Sequence, residues 1–148
     1  DPAAHPPRRR PGEGRAMKVY IACGFEHAQD ARDLATRLPK GWEWSYDWTG
    51  HTFDDSPLGV ALRDRAGVRC SDAMIVLLPG GPGTHVEMGI AIGLCLPLCI
   101  VGHMPRKDPR WPWCPFYTLG HRAETVDEAV EWLSSLASER ERREGGDG

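Results

Sequence analysis

Leu78-Pro79-Gly80-Gly81-Pro82-Gly83-Thr84-His85-Val86-Glu87-Met88-Gly89 is the stretch on which the reading of this chain turns. Ahead of it runs Ala73-Met74-Ile75-Val76-Leu77-Leu78, apolar throughout, as in a strand covered on both faces. Behind it, Met88 to Cys95 is apolar on all sides and reads as a buried helix. The turn between them holds three glycines and two prolines, so the backbone can approach a ligand closely. A helix N-terminus behind such a turn presents free N–H groups and a positive dipole end, a natural place for an anion. Glu87 is the one acid in the first turn of that helix and is the first candidate for a catalytic role. A structural reading fits the same residues: Thr84 and Glu87 have capping-box spacing, with Glu87 folding back on the Thr84 N–H.

Size and composition narrow the function classes. With 148 residues the chain can build one domain with one core. A net charge of −3 gives no general electrostatic case for binding a nucleic-acid polymer. Ile90 to Val101 is broken by Gly93 and Pro97, so no segment reaches membrane-spanning length, and no signal peptide is expected. The five cysteines are odd in number and contain no CxxC, which suits a reducing cytoplasm rather than a disulfide framework. The six histidines are scattered without ligand spacing. Neither a metal nor another cofactor is expected.

Outward from the Gly-rich turn the pattern alternates. Lys18 to Cys23 predicts a strand, Ala28 to Leu38 a helix, and Trp42 to Asp47 an edge strand. Trp48 to Ser56 is a polar loop containing Gly50, His51, Asp54 and Asp55; Pro57 to Ser71 predicts a second helix. Thr84 to Cys95 is the third helix and Pro97 to Val101 the fourth strand. Gly102 to Pro115 is a long loop rich in Pro, Trp and charge, of the kind that often forms a lid or contact surface. Phe116-Tyr117-Thr118 suggests a short fifth strand, and Thr125 to about Arg143 the last helix, opened by a Thr125–Glu128 capping box. Residues 1–16, rich in Pro, Arg and Gly, read as a disordered tail; 17–143 form the single folded domain; 144–148 fray.

Strict alternation of strand and helix predicts an α/β fold. The expected architecture is Rossmann-like or flavodoxin-like, a parallel sheet of four to five strands with helices on both faces. Ligands bind such sheets outside the carboxyl ends of the strands, which gathers three regions: the end of the first strand, the loop beginning at Asp47 and Trp48, and the Gly80–Thr84 turn. One further residue is out of place. Val60, Ala61, Asp64, Gly67 and Val68 share a helical face, so Asp64 is the one charge on a stripe that should be buried. A buried carboxylate is costly unless partnered. A slightly rotated helix, with Asp64 at the rim beside Arg63 or Arg65, is the alternative. Tyr20, mid-strand, reads by pattern as a core aromatic.

Taken together, four segments resemble the nucleoside 2-deoxyribosyltransferase family, which includes N-glycosidases of nucleoside 5′-monophosphates. They are Val19-Tyr20-Ile21-Ala22, Arg63-Asp64, Ser71-Asp72-Ala73-Met74-Ile75-Val76 and Gly83-Thr84-His85-Val86-Glu87-Met88-Gly89. The resemblance spans about Met17 to Val101 and rests on order and spacing. It implies a Rossmann-like fold and cleavage of the bond between a base and a sugar. It implies Glu87 as nucleophile at C1′, Tyr20 orienting it, and Asp64, 23 residues earlier, serving proton transfer near the base. It also implies a homo-oligomer. Six residues before the glutamate, where many members carry Asp or Ser, this chain has Gly81. Pro79 to Glu87 is in addition similar to the PGGxGTxxE motif of cytokinin-activating phosphoribohydrolases, whose glycines and threonine surround a nucleotide phosphate. The upstream Gly-rich motif of those enzymes is missing here.

The expected ligand is therefore a small nucleoside or nucleotide. Gly80, Gly81, Gly83 and Thr84 are the candidates for holding its phosphate or sugar, and Asp47 and Trp48 for lining the site. Trp48 and the Trp111–Trp113 segment are stacking candidates, with core packing as their other reading. The expected chemistry is transfer of the sugar to a second base, with hydrolysis as an alternative. A non-catalytic nucleotide sensor is a further alternative, since fold does not fix function.

Overall fold

A strand with helices on both faces has no polar side, and β1 (Met17–Cys23) shows this: Val19 to Cys23 are buried without a break. The computed structural model describes residues 16–105, 110 and 112–146. Residues 1–15 of the expected 1–16 tail lie outside the described residues, as do 106–109 and Trp111 of the expected loop and 147–148 of the expected fraying end. After a 3₁₀ turn (Phe25–His27), α1 (Ala28–Ala35) turns Ala31 and Leu34 into the core. There follow β2 (Trp42–Trp44), α2 (Pro57–Arg69), β3 (Ala73–Leu77), α3 (Pro82–Gly93) and β4 (Leu98–Val101). A 3₁₀ helix (Pro115–Leu119), β5 (His121–Ala123) and α4 (Val126–Gly145) complete the order.

All strand pairs are parallel, in the order β2-β1-β3-β4-β5. This is a Rossmann-like α/β fold with the flavodoxin-type strand order. The order reverses direction between β1 and β3, and right-handed crossovers then put α1 on one face and α2 with α3 on the other. α2 and α3 touch along their length. On the opposite face Arg37 pairs with Asp127, and the Trp42 indole N–H donates to the Leu133 carbonyl at 3.1 Å, tying α4 to the edge strand. No helix among the described residues is long and apolar enough to cross a membrane.

Several expectations shift. Helix α1 stops at Ala35 rather than Leu38, and β2 at Trp44 rather than Asp47. Phe116-Tyr117-Thr118 is a turn of 3₁₀ helix, and the fifth strand comes later, at His121–Ala123. Pro115 opens that helix, and Tyr117 is pulled inward, to 4% exposure. Helix α3 begins at Pro82 rather than Thr84, because proline at the first helical position brings its φ already set. Its N-cap is Gly81, so Thr84 lies inside the helix, Glu87 falls in the second turn rather than the first, and the Thr84–Glu87 capping box does not form. The Thr125 cap does form: its side chain accepts from the Glu128 N–H at 3.2 Å, while Glu128 accepts from the Glu124 N–H at 2.8 Å.

One glycine sets how α2 sits on the sheet. A Cβ on Gly67 would lie 2.8 Å from the Tyr46 Cβ and 3.0 Å from the Tyr20 ring. The helix therefore reaches the sheet only because no side chain stands there, and Asp64, one turn earlier, is carried toward β1 with it. Replacing Gly67 by Val should cost on the order of 2–3 kcal/mol through overpacking. Gly89→Ala in α3, where an added Cβ meets nothing within 4 Å, should be neutral or gain up to about 1 kcal/mol. Urea denaturation of the two variants checks this; an unchanged midpoint for Gly67→Val would refute the close-approach argument.

Candidate functional site

The carboxyl ends of β1 and β3 lie side by side, with Cys23 opposite Leu77 in register. The chain leaves β3 through a cis Leu78–Pro79 peptide and enters α3 at Gly81. Gly80 packs directly on Thr84, whose Cγ2 would be 2.6 Å from a Cβ placed there. The first amide to close onto the turn is His85 N–H, donating to the Gly81 carbonyl at 3.3 Å. Gly83 and Thr84 precede it, in the part of a helix whose N–H groups have no intrahelical acceptor.

His85 also fixes the turn from outside. Its Nδ1–H donates to the Gly81 carbonyl at 2.8 Å, which leaves Nε2 to accept from the Tyr117 hydroxyl at 2.6 Å. The Trp113 ring lies 4.8 Å from the His85 ring, centroid to centroid. The Gly-rich turn is thereby fastened to the 3₁₀ helix at 115–119. This role of His85 was not visible in the sequence, because its partner is 32 residues away.

Glu87 lies on the inward side of α3. Tyr20 is fully buried, and its hydroxyl and the Glu87 Oε2 are both buried without a well-formed hydrogen bond among the described residues. They are nonetheless close enough to act on each other. Burial first, and then the Glu87 charge, hold the Tyr20 hydroxyl far above its ordinary ionisation range. Burial raises Glu87 to about 7; the Tyr20 hydroxyl works against that rise and the Asp64 charge adds to it. Asp64 is itself raised by burial and drawn back by His51 and Arg63. The structure thus brings Tyr20, Asp64 and Glu87 into one electrostatic cluster.

Two residues that sequence reasoning passed over belong to it. His51 Nε2 lies 3.1 Å from Asp64 Oδ1 and 3.2 Å from the Tyr46 hydroxyl. The available signal was a histidine in a polar loop at the carboxyl edge of the sheet. Asp64 is half-buried and paired, between the two expectations for it.

The remaining candidates divide. Asp47 is exposed and accepts from the Thr49 N–H at 2.9 Å, so its carboxylate shapes the loop. Trp48 is buried at 7% exposure, with its indole N–H donating to the Ile21 carbonyl at 2.6 Å. It braces β1 rather than offering an open face. The open aromatic faces at this edge are Phe25 and Phe53, with ring centroids 6.5 Å apart. Trp113 is half exposed and stacks with Tyr117. Among the described residues no group of three or more His, Cys, Asp or Glu side chains is arranged to hold a metal.

Among solved structures, the chain is similar to the CMP N-glycosidase BcmB of Clostridium botulinum. The TM-score is 0.55 at 19% identity, over 80% of this chain and 98% of that one. At that identity the likeness is one of fold. No family model and no curated protein sequence matches the chain.

The raised Glu87 has a consequence for stability. The folded state holds the Glu87 proton more tightly than the unfolded chain, whose value is near 4.5. Glu87 therefore costs no stability below about pH 4.5 and costs increasingly as pH rises through about 7. The full cost is on the order of 3 kcal/mol. Glu87→Gln should accordingly unfold at higher urea than the parent at pH 8, and at nearly the same urea at pH 4.5. Equal shifts at both pH values would refute this account of the carboxyl.

Proposed function

We propose that this protein cleaves the N-glycosidic bond of a nucleoside 5′-monophosphate, with Glu87 attacking C1′ of the sugar. The observation that carries the reading is the half-buried Glu87, its Oε2 fully buried and facing Tyr20, with a second carboxyl, Asp64, close enough to act on it at the switch point of the sheet. Ionised Glu87 forms a bond to C1′ as the C1′–N bond breaks, its electron pair going to the base nitrogen. Asp64 supplies the proton that the departing base takes up. A carboxylate nucleophile divides one hard displacement into two easier ones. The transition state carries positive charge on the sugar, as in glycoside hydrolysis by paired carboxylates. A poorly solvated Glu87 then gains its strongest partner only as that charge develops, which favours the transition state over the ground state. Water then attacks C1′ and gives its proton to the Asp64 carboxylate as the bond from C1′ to Glu87 breaks, which completes hydrolysis.

The nucleotide rather than the nucleoside is favoured by the Gly83 and Thr84 amides, at the positive end of α3 and within one turn of Glu87. The likeness in fold to a CMP N-glycosidase supports the same choice. Phe25 and Phe53, exposed in the loops that follow β1 and β2, would offer aromatic faces to a base. The second reading, transfer to another base, is favoured by the resemblance of the Tyr20, Asp64 and Glu87 segments to deoxyribosyltransferases.

Chromatography of ribo- and deoxyribonucleosides and their 5′-monophosphates, incubated with and without a free acceptor base, tests this. Base release from monophosphates without acceptor is expected, and Glu87→Ala should reduce it by about 10³-fold or more. Release only with acceptor would establish transfer. Nucleotide binding without release would make the protein a sensor module. Full activity in Glu87→Ala would sink the nucleophile assignment. Because Glu87 must be ionised to attack, kcat/KM should fall below about pH 7.

A further inference from the structure

We propose that His51 is a positioning residue that orients the Asp64 carboxyl and replaces the proton that the departing base takes from it. The inference rests on the glycosidic-cleavage reading above. His51 Nε2 faces Asp64 Oδ1 at 3.1 Å, while Nδ1 points outward, 3.8 Å from Asp55 Oδ2. The Tyr46 hydroxyl, 3.2 Å from Nε2, holds the imidazole in place, with the two ring centroids 5.9 Å apart. Asp55 is the most open of the three, at 38% side-chain exposure, against 15% for His51 and 20% for Asp64. His51 thus lies between two carboxyls, with the open Asp55 on its Nδ1 side and Asp64 on its Nε2 side.

That arrangement answers a need of the reaction. A base seated against Asp64 covers the carboxyl and cuts its direct contact with water. When the C1′–N bond breaks, Asp64 gives its proton to the base and becomes a carboxylate. His51 then donates its Nε2 proton to Asp64 Oδ1 and takes one from water at Nδ1, beside Asp55. The ring is then the other neutral tautomer; when water attacks C1′ it gives a proton to Asp64, which returns its Oδ1 proton to His51 Nε2 as Nδ1 releases one to solvent, so that both groups end as they began. The charged and titratable groups around this arrangement are Asp55 and Tyr46 from the segment after β2, and Asp64 and Arg63 from α2. Glu87 from α3 and Tyr20 from β1 lie beyond Asp64.

The test separates leaving groups that need a proton from those that do not. His51→Gln keeps an N–H donor for Asp64 but cannot take up and hand on a proton. It is compared with the parent on a purine 5′-monophosphate and on its 7-methylated counterpart, whose cationic base departs without protonation. For a pyrimidine-specific enzyme the pair is an unsubstituted and a 5-fluorinated base. His51→Gln should lower kcat by on the order of 10²-fold on the unactivated substrate. On the activated one it should stay within about three-fold. Asp64→Asn should show the same split, and the double variant should add no further loss. Equal loss on both substrates, or no loss on either, overturns the proposal while leaving base cleavage by Glu87 intact. A parent protein that releases no base from any substrate overturns both.

Discussion

A carboxyl taken out of water without a full set of partners is the condition around which this fold is arranged. Glu87 sits in a largely apolar helix, between a fully buried tyrosine and a second carboxyl, and its proton is held until about pH 7. Nothing in packing alone favours that arrangement, since burial of an incompletely bonded acid is unfavourable. The surrounding structure tolerates it because Val19–Cys23 of β1 and all of β3 are buried and supply a largely apolar floor. Local strain on stability at one point, offset by the remainder of the domain, is the usual signature of a site shaped for chemistry.

Geometry at that floor is controlled by small residues and by distant ties. Gly67 brings α2 close enough to β1 that Asp64 and Glu87 feel each other. Gly80 seats the turn on Thr84. His85 fastens that turn to a segment more than thirty residues further along, and Trp113 covers the tie. Electrostatics inside the cluster are therefore set by backbone positions that carry no charge themselves.

Much of this was legible in the order of residues. The unbroken apolar runs at Val19–Cys23 and Ala73–Leu77, alternating with helical patterns, gave the parallel α/β sheet because a doubly covered strand has no polar face to show. Asp64 and Glu87 stand out by their place in the pattern and by resemblance, Tyr20 by resemblance alone, and the fold gathers the three. What stayed hidden depended on contacts across the chain. Phe116 to Thr118 has strand-like composition, yet Pro115 and the His85–Tyr117 bond make it a 3₁₀ helix, an instance of tertiary context overriding β-propensity. His51 gave no periodic signal, since its place beside Asp64 depends on the path of an irregular loop. Trp48 was read from its aromatic character, but its indole N–H found a backbone carbonyl on β1 instead.

Gly81 stands at the mouth of the turn with φ −90 and ψ −166, ordinary extended backbone, and a Cβ added there would touch nothing within 4 Å. Steric need therefore does not account for the glycine. A hydroxyl or a carboxylate can be installed at this one position without rearranging the turn, so the polarity beside the Gly-rich turn is a free variable of the scaffold. A designer can set it with one substitution, while the residues packed behind the turn keep their places.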